Sequence, residues 1–153
     1  MFKDSAGRSY NIKINIGAIR RVRDLLDLDL SSPWTAYNDS KTLLEALSSD
    51  FILQVDVCYA ILKPQADSYE LTDEEFGESV DGKVFSQMMG MFWESYQSFF
   101  QSTGRIDLAK SAQKMSQVAI KAVQEIAQRV EAVDVDKVIQ SQFGESSTST
   151  PGS

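Results

Sequence analysis

Histidine is absent from the 153 residues of this chain, and cysteine occurs once. Without imidazole there is no Ser-His or Cys-His nucleophile pair, no histidine metal ligand, and no side chain whose ordinary pKa lies near neutrality. A single thiol makes neither an internal disulfide nor a cysteine zinc site. That thiol, Cys58, lies in ILQVDVCYAIL and reads as a small core hydrophobe, since nothing is present to activate it. Apolar runs are only a few residues long, against the roughly 20 needed to cross a bilayer. The first twenty residues alternate and carry charge where a secretory leader would be continuously apolar. A cytoplasmic protein with no membrane association is therefore expected. Phosphate-cradling glycines are missing as well. Gly17 lies between a predicted strand and a predicted helix, but it stands alone, outside any GxGxxG or GxxxxGK context.

Basic residues are also in short supply. The net charge is -7, which argues against nucleic acid as the main partner. The charge is unevenly spread. Met1 to Arg23 holds Lys3, Arg8, Lys13, Arg20, Arg21 and Arg23 against Asp4 alone, whereas Asp67 to Asp81 holds seven acids and no base. Such polarity fits two solvated faces, an intramolecular complement or one between subunits, so a homo-oligomer stays open. Acid pairs at Asp27 with Asp29, and at Asp134 with Asp136, are too isolated to cage a cation. Asp73, Glu74 and Glu75 are explained by the positive end of a helix dipole. No metal, cofactor or enzymatic chemistry is expected.

What remains is a soluble globular composition, 42% hydrophobic and 24% charged, in a length suited to one domain. In GRSYNIKINIGAIRRVRDLL, Tyr10, Ile12, Ile14 and Ile16 alternate with polar residues as in a half-buried strand. Ala18, Ile19, Val22, Leu25 and Leu26 then follow a helical spacing. With DSAG as a turn, the start reads as a β-hairpin, a short strand near Met1 to Lys3 pairing with one over Ser9 to Ile16, covered by the following helix. Asp27 to Ser40 reads as a loop whose Trp34 is expected to dock on the core. Asp39 or Ser40 caps a helix carrying Leu43, Leu44 and Leu47, and Ser48 or Ser49 caps a second that ends at Pro64. That second helix has Phe51, Val55, Cys58 and Leu62, with Ile52, Tyr59 and Ile61 beside them, as a wide apolar face. Thr72 and Glu75 form a capping box for a short acidic helix with Phe76 and Val80 inward.

Residues 82–101 are the most apolar helical stretch. Phe85, Met88, Phe92, Tyr96 and Phe99 share one stripe, and Met89, Met91, Trp93 and Phe100 widen it almost all round. A Met and aromatic stripe at this spacing reads first as core. One face already fills a core, however, and the surplus predicts a partner-binding surface at Met88, Met89, Met91, Phe92, Trp93, Tyr96, Phe99 and Phe100. A longer helix with small apolar residues follows Gly104, and Ser141 onward is polar and low in complexity. The expected fold is mainly α: a single helical domain over 1–140 with a short N-terminal β-hairpin in residues 1–16 (α+β), then a disordered tail over 141–153.

The order of these elements resembles the tail assembly chaperones of long-tailed bacteriophages and related prophages. The likeness rests on Gly7, Tyr10, Ile12, Ile14, Gly17, Ala18 and Ile19, on Val55, Asp56, Val57, Tyr59, Ala60 and Leu62, and on Thr72, Glu74, Glu75, Phe76 and Gly77. It spans roughly residues 1–100. What it implies is a non-enzymatic protein of the host cytoplasm, absent from the mature virion, that binds the tape measure protein and recruits tail tube subunits around it. A small structural virion protein, such as a head-tail connector or tail completion component, is the alternative.

Overall fold

The N-terminal turn is organised by one carboxylate. Asp4 Oδ1 accepts the backbone N–H groups of Ala6 and Arg8 at 3.0 and 2.9 Å. Its Oδ2 accepts Arg8 Nη1 at 3.1 Å and the Tyr10 hydroxyl at 3.4 Å. Gly7 supplies the left-handed backbone this loop requires, at φ +84°. The computed structural model in which these contacts occur describes residues 1–122, 124 and 125. Its chain forms two units, Met1–Gln117 and Val118–Ser153. The expected tail over 141–153 lies outside the described residues.

The first unit is mainly helical with a two-stranded antiparallel hairpin at its start. Strand β1 (Phe2–Lys3) pairs with β2 (Ser9–Tyr10), Phe2 opposite Tyr10 and Lys3 opposite Ser9. The ladder is shorter than the alternating sequence predicts. Tyr10, Ile12 and Ile14 are buried and Asn11, Lys13 and Asn15 are exposed, as the alternation predicts, but Ile16 is exposed and already opens a helix, and among the described residues no strand lies beside residues 11–14. Side chains replace it. Gln65 grips the Asn11 peptide from both sides, its Oε1 accepting Asn11 N–H and its Nε2 donating to Asn11 C=O, both at 2.9 Å. Ser95 Oγ accepts the Ile14 N–H at 2.8 Å. The extended segment thus satisfies its backbone against helices rather than a sheet.

Helix α1 (Ile16–Leu26) is capped by Asn15, whose Oδ1 accepts Ala18 N–H, and it stops at Asp27 in a left-handed conformation, φ 55°. Ala18, Ile19 and Val22 face inward as predicted, whereas Leu25 is exposed. After a loop come α2 (Leu43–Ser49), α3 (Phe51–Ser68), α4 (Asp73–Glu78) and α5 (Gly82–Ser102). Neither predicted cap of α2 or α3 is used. Asp39 and Ser40 sit in a turn closed by Asn38 Oδ1, which accepts the Ser40 and Lys41 N–H groups, and Thr42 caps α2. Asp50 caps α3 in place of Ser48 or Ser49. The Thr72–Glu75 capping box of α4 is formed in both directions. Helix α5 ends in a Schellman turn, with Arg105 N–H on Phe100 C=O and Gly104 at φ +77°. Residues 106–117 of the first unit are helical (α6), and the described residues of the second unit are helical too.

Pro64 does not end α3, which continues to Ser68. A proline here removes the N–H that would bond Ala60 C=O and pushes that carbonyl outward. Arg21 of α1 reaches the gap, its Nη2 donating to Ile61 C=O at 2.8 Å and its Nε to Ala60 C=O at 3.4 Å. We expect Arg21→Met to cost about 1–3 kcal/mol, because it strands the Ala60 carbonyl that the proline leaves without its helical N–H and removes a charged donor from Ile61 C=O. The cost should shrink in a Pro64→Ala background, where residue 64 again has an N–H. A double-mutant cycle by urea denaturation reads this coupling, and full additivity would contradict it.

Candidate functional site

Helix α5 is two-sided: its Met and aromatic residues gather on the face turned to the core, and Lys83, Ser86, Gln87, Gly90, Glu94, Ser98 and Gln101 line an exposed polar face. Met88, Met89, Phe92, Trp93, Tyr96 and Phe100 are buried, and only Met91 and Phe99 are half-buried. Phe92 contacts Trp93 edge-on at 5.2 Å between centroids, and Tyr96 packs on Phe100 at 4.7 Å. Met89 sulfur lies 3.7 Å from Cys58 Sγ on α3. The Tyr96 hydroxyl donates to Leu30 C=O, fastening the loop between α1 and α2 to α5. Burial, followed by the charge of Asp29, pushes the Tyr96 phenol up, so it stays a neutral donor. Cys58 is sealed and its thiol is likewise pushed up by burial. The expected surplus surface on α5 is therefore corrected: six of its eight residues are core in the isolated chain, and they offer no preformed docking face.

Exposed apolar residues lie elsewhere. Phe51 and Ile52, read from sequence as part of the inward face of α3, are 46% and 73% exposed. They open the helix at its N-terminal turn, where the core does not yet reach round the backbone. Phe51 meets half-buried Phe85 of α5 edge-on, with centroids 5.5 Å apart. Trp34 does not dock on the core either. It is 54% exposed, with the Arg105 guanidinium 5.5 Å from its ring centroid, a cation-π contact in place of burial.

The charged candidates resolve differently. Of the three α1 arginines, Arg20 and Arg23 are exposed, and Arg21 serves α3. Asp29 is held below its ordinary pKa by the Ser31 hydroxyl, which outweighs the opposing effect of burial. Asp56, one turn beyond Ile52, is raised by burial and then by the neighbouring charges of Asp73 and Asp50. Asp56 thus stands within electrostatic reach of Asp73 and Asp50, one turn along α3 from Ile52. Among the described residues, ion pairs form only between Arg8 and Asp4 and between Lys63 and Asp67, so none neutralises these three. No set of three potential metal ligands converges among the described residues, and no described helix is long and apolar enough to cross a membrane.

No family model, curated protein or solved structure matches the chain.

Proposed function

We propose that this protein is a tail assembly chaperone of the long-tailed phage type, a non-enzymatic binder of the tape measure protein that recruits tail tube subunits. The observation that carries the reading is where the residues of the resemblance fall. Gly7 makes the hairpin turn, Tyr10, Ile12 and Ile14 seal the core, Ala18 and Ile19 face it from α1, and Val57, Ala60 and Leu62 face it from α3. Thr72 and Glu75 cap α4, and Phe76 is buried against Tyr10 and Tyr59. Residues scattered over some 70 positions of sequence thus serve one fold, which supports reading them as a single pattern. The charge balance also suits a soluble escort: residues 43–102 carry eleven acidic side chains and two lysines.

Co-expression with a tape measure protein tests the reading. The client is expected in the soluble fraction with this chain present and in the pellet without it. Mass spectrometry of purified particles separates the alternative, since a chaperone of the host cytoplasm is missing from the virion and a connector or completion protein is present in stoichiometric amount. An insoluble client, or the protein in finished particles, overturns the proposal.

A further inference from the structure

The geometry points to the Phe51–Ile52–Phe85 corner, rimmed by Asp50, Asp56 and Asp73, as a docking face for a basic amphipathic segment of a partner chain. This rests on the chaperone reading and names the chemistry its client would present.

The apolar part is small but unusual in its placement. Two adjacent large side chains in the first turn of a helix are left in water, where a polar or acidic residue would be solvated at lower cost and suit the positive end of the helix dipole. Ile52 is the most exposed large hydrophobe of any described helix in the first unit, and the Phe51 ring packs edge-on against Phe85 on one side. A ring already positioned loses little side-chain freedom when a partner covers it.

The charges choose among occupants. Asp56 shares the outer face of α3 with Ile52, four residues on, and the charges of Asp73 and Asp50 reach it, with no cation within ion-pair distance among the described residues. Neither α2 nor α4 carries a lysine or arginine, α3 has only Lys63, already paired with Asp67, α5 has only Lys83, and Lys41 of the preceding loop donates to Ser49 Oγ at 2.9 Å without pairing with Asp50. A segment presenting leucine-like side chains with flanking lysine or arginine relieves the carboxylate repulsion and covers the apolar corner together. An acidic segment meets repulsion at the same place. A second copy of this chain would have to bring the exposed Arg20 and Arg23 of its α1 to this corner against a net charge of -7 on each copy, and sedimentation tests for it.

The probe is a labelled amphipathic peptide of about 20 residues, long enough for appreciable helicity, with leucines on one face and lysines beside them, together with a version bearing glutamate at every lysine position. Anisotropy titrations and amide shifts use the full chain. The lysine peptide is expected to bind and to move the signals of Phe51, Ile52 and Phe85, with affinity falling as salt rises. Ile52→Ser, at a solvent-exposed position, is expected to weaken binding roughly tenfold or more without changing the melting temperature. Asp56→Asn with Asp73→Asn should weaken it several-fold and flatten the salt dependence. Equal binding of both peptides, no binding of the lysine peptide, or indifference to Ile52→Ser overturns the assignment. So does sedimentation that finds two copies joined through this corner and parted by Ile52→Ser. A client kept soluble equally well by wild type and Ile52→Ser sinks the docking face alone; peptide binding at the corner with an insoluble client sinks the chaperone reading alone.

Discussion

Phe92→Ala is expected to lower the stability of the fold by about 3–5 kcal/mol, the range for removing a fully buried aromatic side chain from a packed interior. Phe92 is fully buried and touches both Trp93 and Tyr96. Tyr96 in turn holds the Leu30 carbonyl, so a cavity at Phe92 loosens the anchor of the loop between α1 and α2 as well as α5. In thermal denaturation the midpoint should fall by more than about 10 °C. Phe92→Asp or Trp93→Asp should go further and prevent folding, because each places an unpaired charge where no cation can reach it. These aspartate variants consequently lose client binding along with everything else. If instead Phe92→Asp melts close to the wild type, α5 is not seated in the core in solution, and the Met and aromatic side chains become available to a partner after all.

The fate of α5 shows where hydrophobic pattern stops being informative. Period and stripe width reveal that a helix has a wide apolar face, but a face spent wholly on its own core and one that lends an edge to a partner have the same pattern. What separates them is how many neighbours converge on it. Here an extended segment reaches α5 at Ser95, a loop carbonyl reaches it at Tyr96, and α3 reaches it at Met89. None of these approaches leaves a mark in the sequence of α5 itself.

Local chemistry was more readable than tertiary partnership. The Thr72–Glu75 box, the alternation of Tyr10, Ile12 and Ile14, and the inward stripe of Ala18, Ile19 and Val22 depend on residues a few positions apart, and each is found as read. Pro64 misleads as a terminator because its cost is offset by Arg21, about forty positions earlier in the chain. The second strand misleads in length because Gln65 and Ser95 provide from helices what a neighbouring strand ordinarily provides. Phe51 and Ile52 belong to a pattern that is inward on average, and only the termination of the core at that turn of α3 leaves them in water. The docking corner was therefore hidden in plain composition: of its acids only Asp73 belongs to the acidic run over Asp67 to Asp81, and its hydrophobes were counted among the core.

Asp4→Ala is expected to cost about 2–4 kcal/mol despite lying in a surface hairpin, because it removes the shared acceptor of the Ala6 and Arg8 N–H groups, the Arg8 guanidinium and the Tyr10 hydroxyl. Asp4→Asn keeps an amide oxygen for the backbone donors and should cost less. The pH dependence distinguishes the lost charge from lost packing. Burial works to raise the Asp4 pKa, but the hydrogen bonds from the Arg8 backbone and side chain and from Ala6, with the Arg8 charge, outweigh it and hold the carboxyl below its ordinary value. The unfolded chain therefore takes up a proton at Asp4 before the folded one does. The stabilisation from this group is complete above the unfolded value, near pH 4, and drains away as the pH falls through the lower folded value. Tyr10 acts at the other end of the scale. Its phenol is pushed up to about 12 by burial and then by the adjacent Asp4 charge, so its contribution is intact below pH 10 and is lost as the pH climbs from there toward 12. Urea midpoints measured from pH 2 to 12 should consequently fall at both extremes in the wild type. In Asp4→Asn the acid limb should be shallower, and the alkaline limb should also soften because the carboxylate that helps hold the phenol neutral has gone. An acid limb of unchanged slope in Asp4→Asn means that another carboxylate governs acid unfolding and that Asp4 serves the turn through geometry alone.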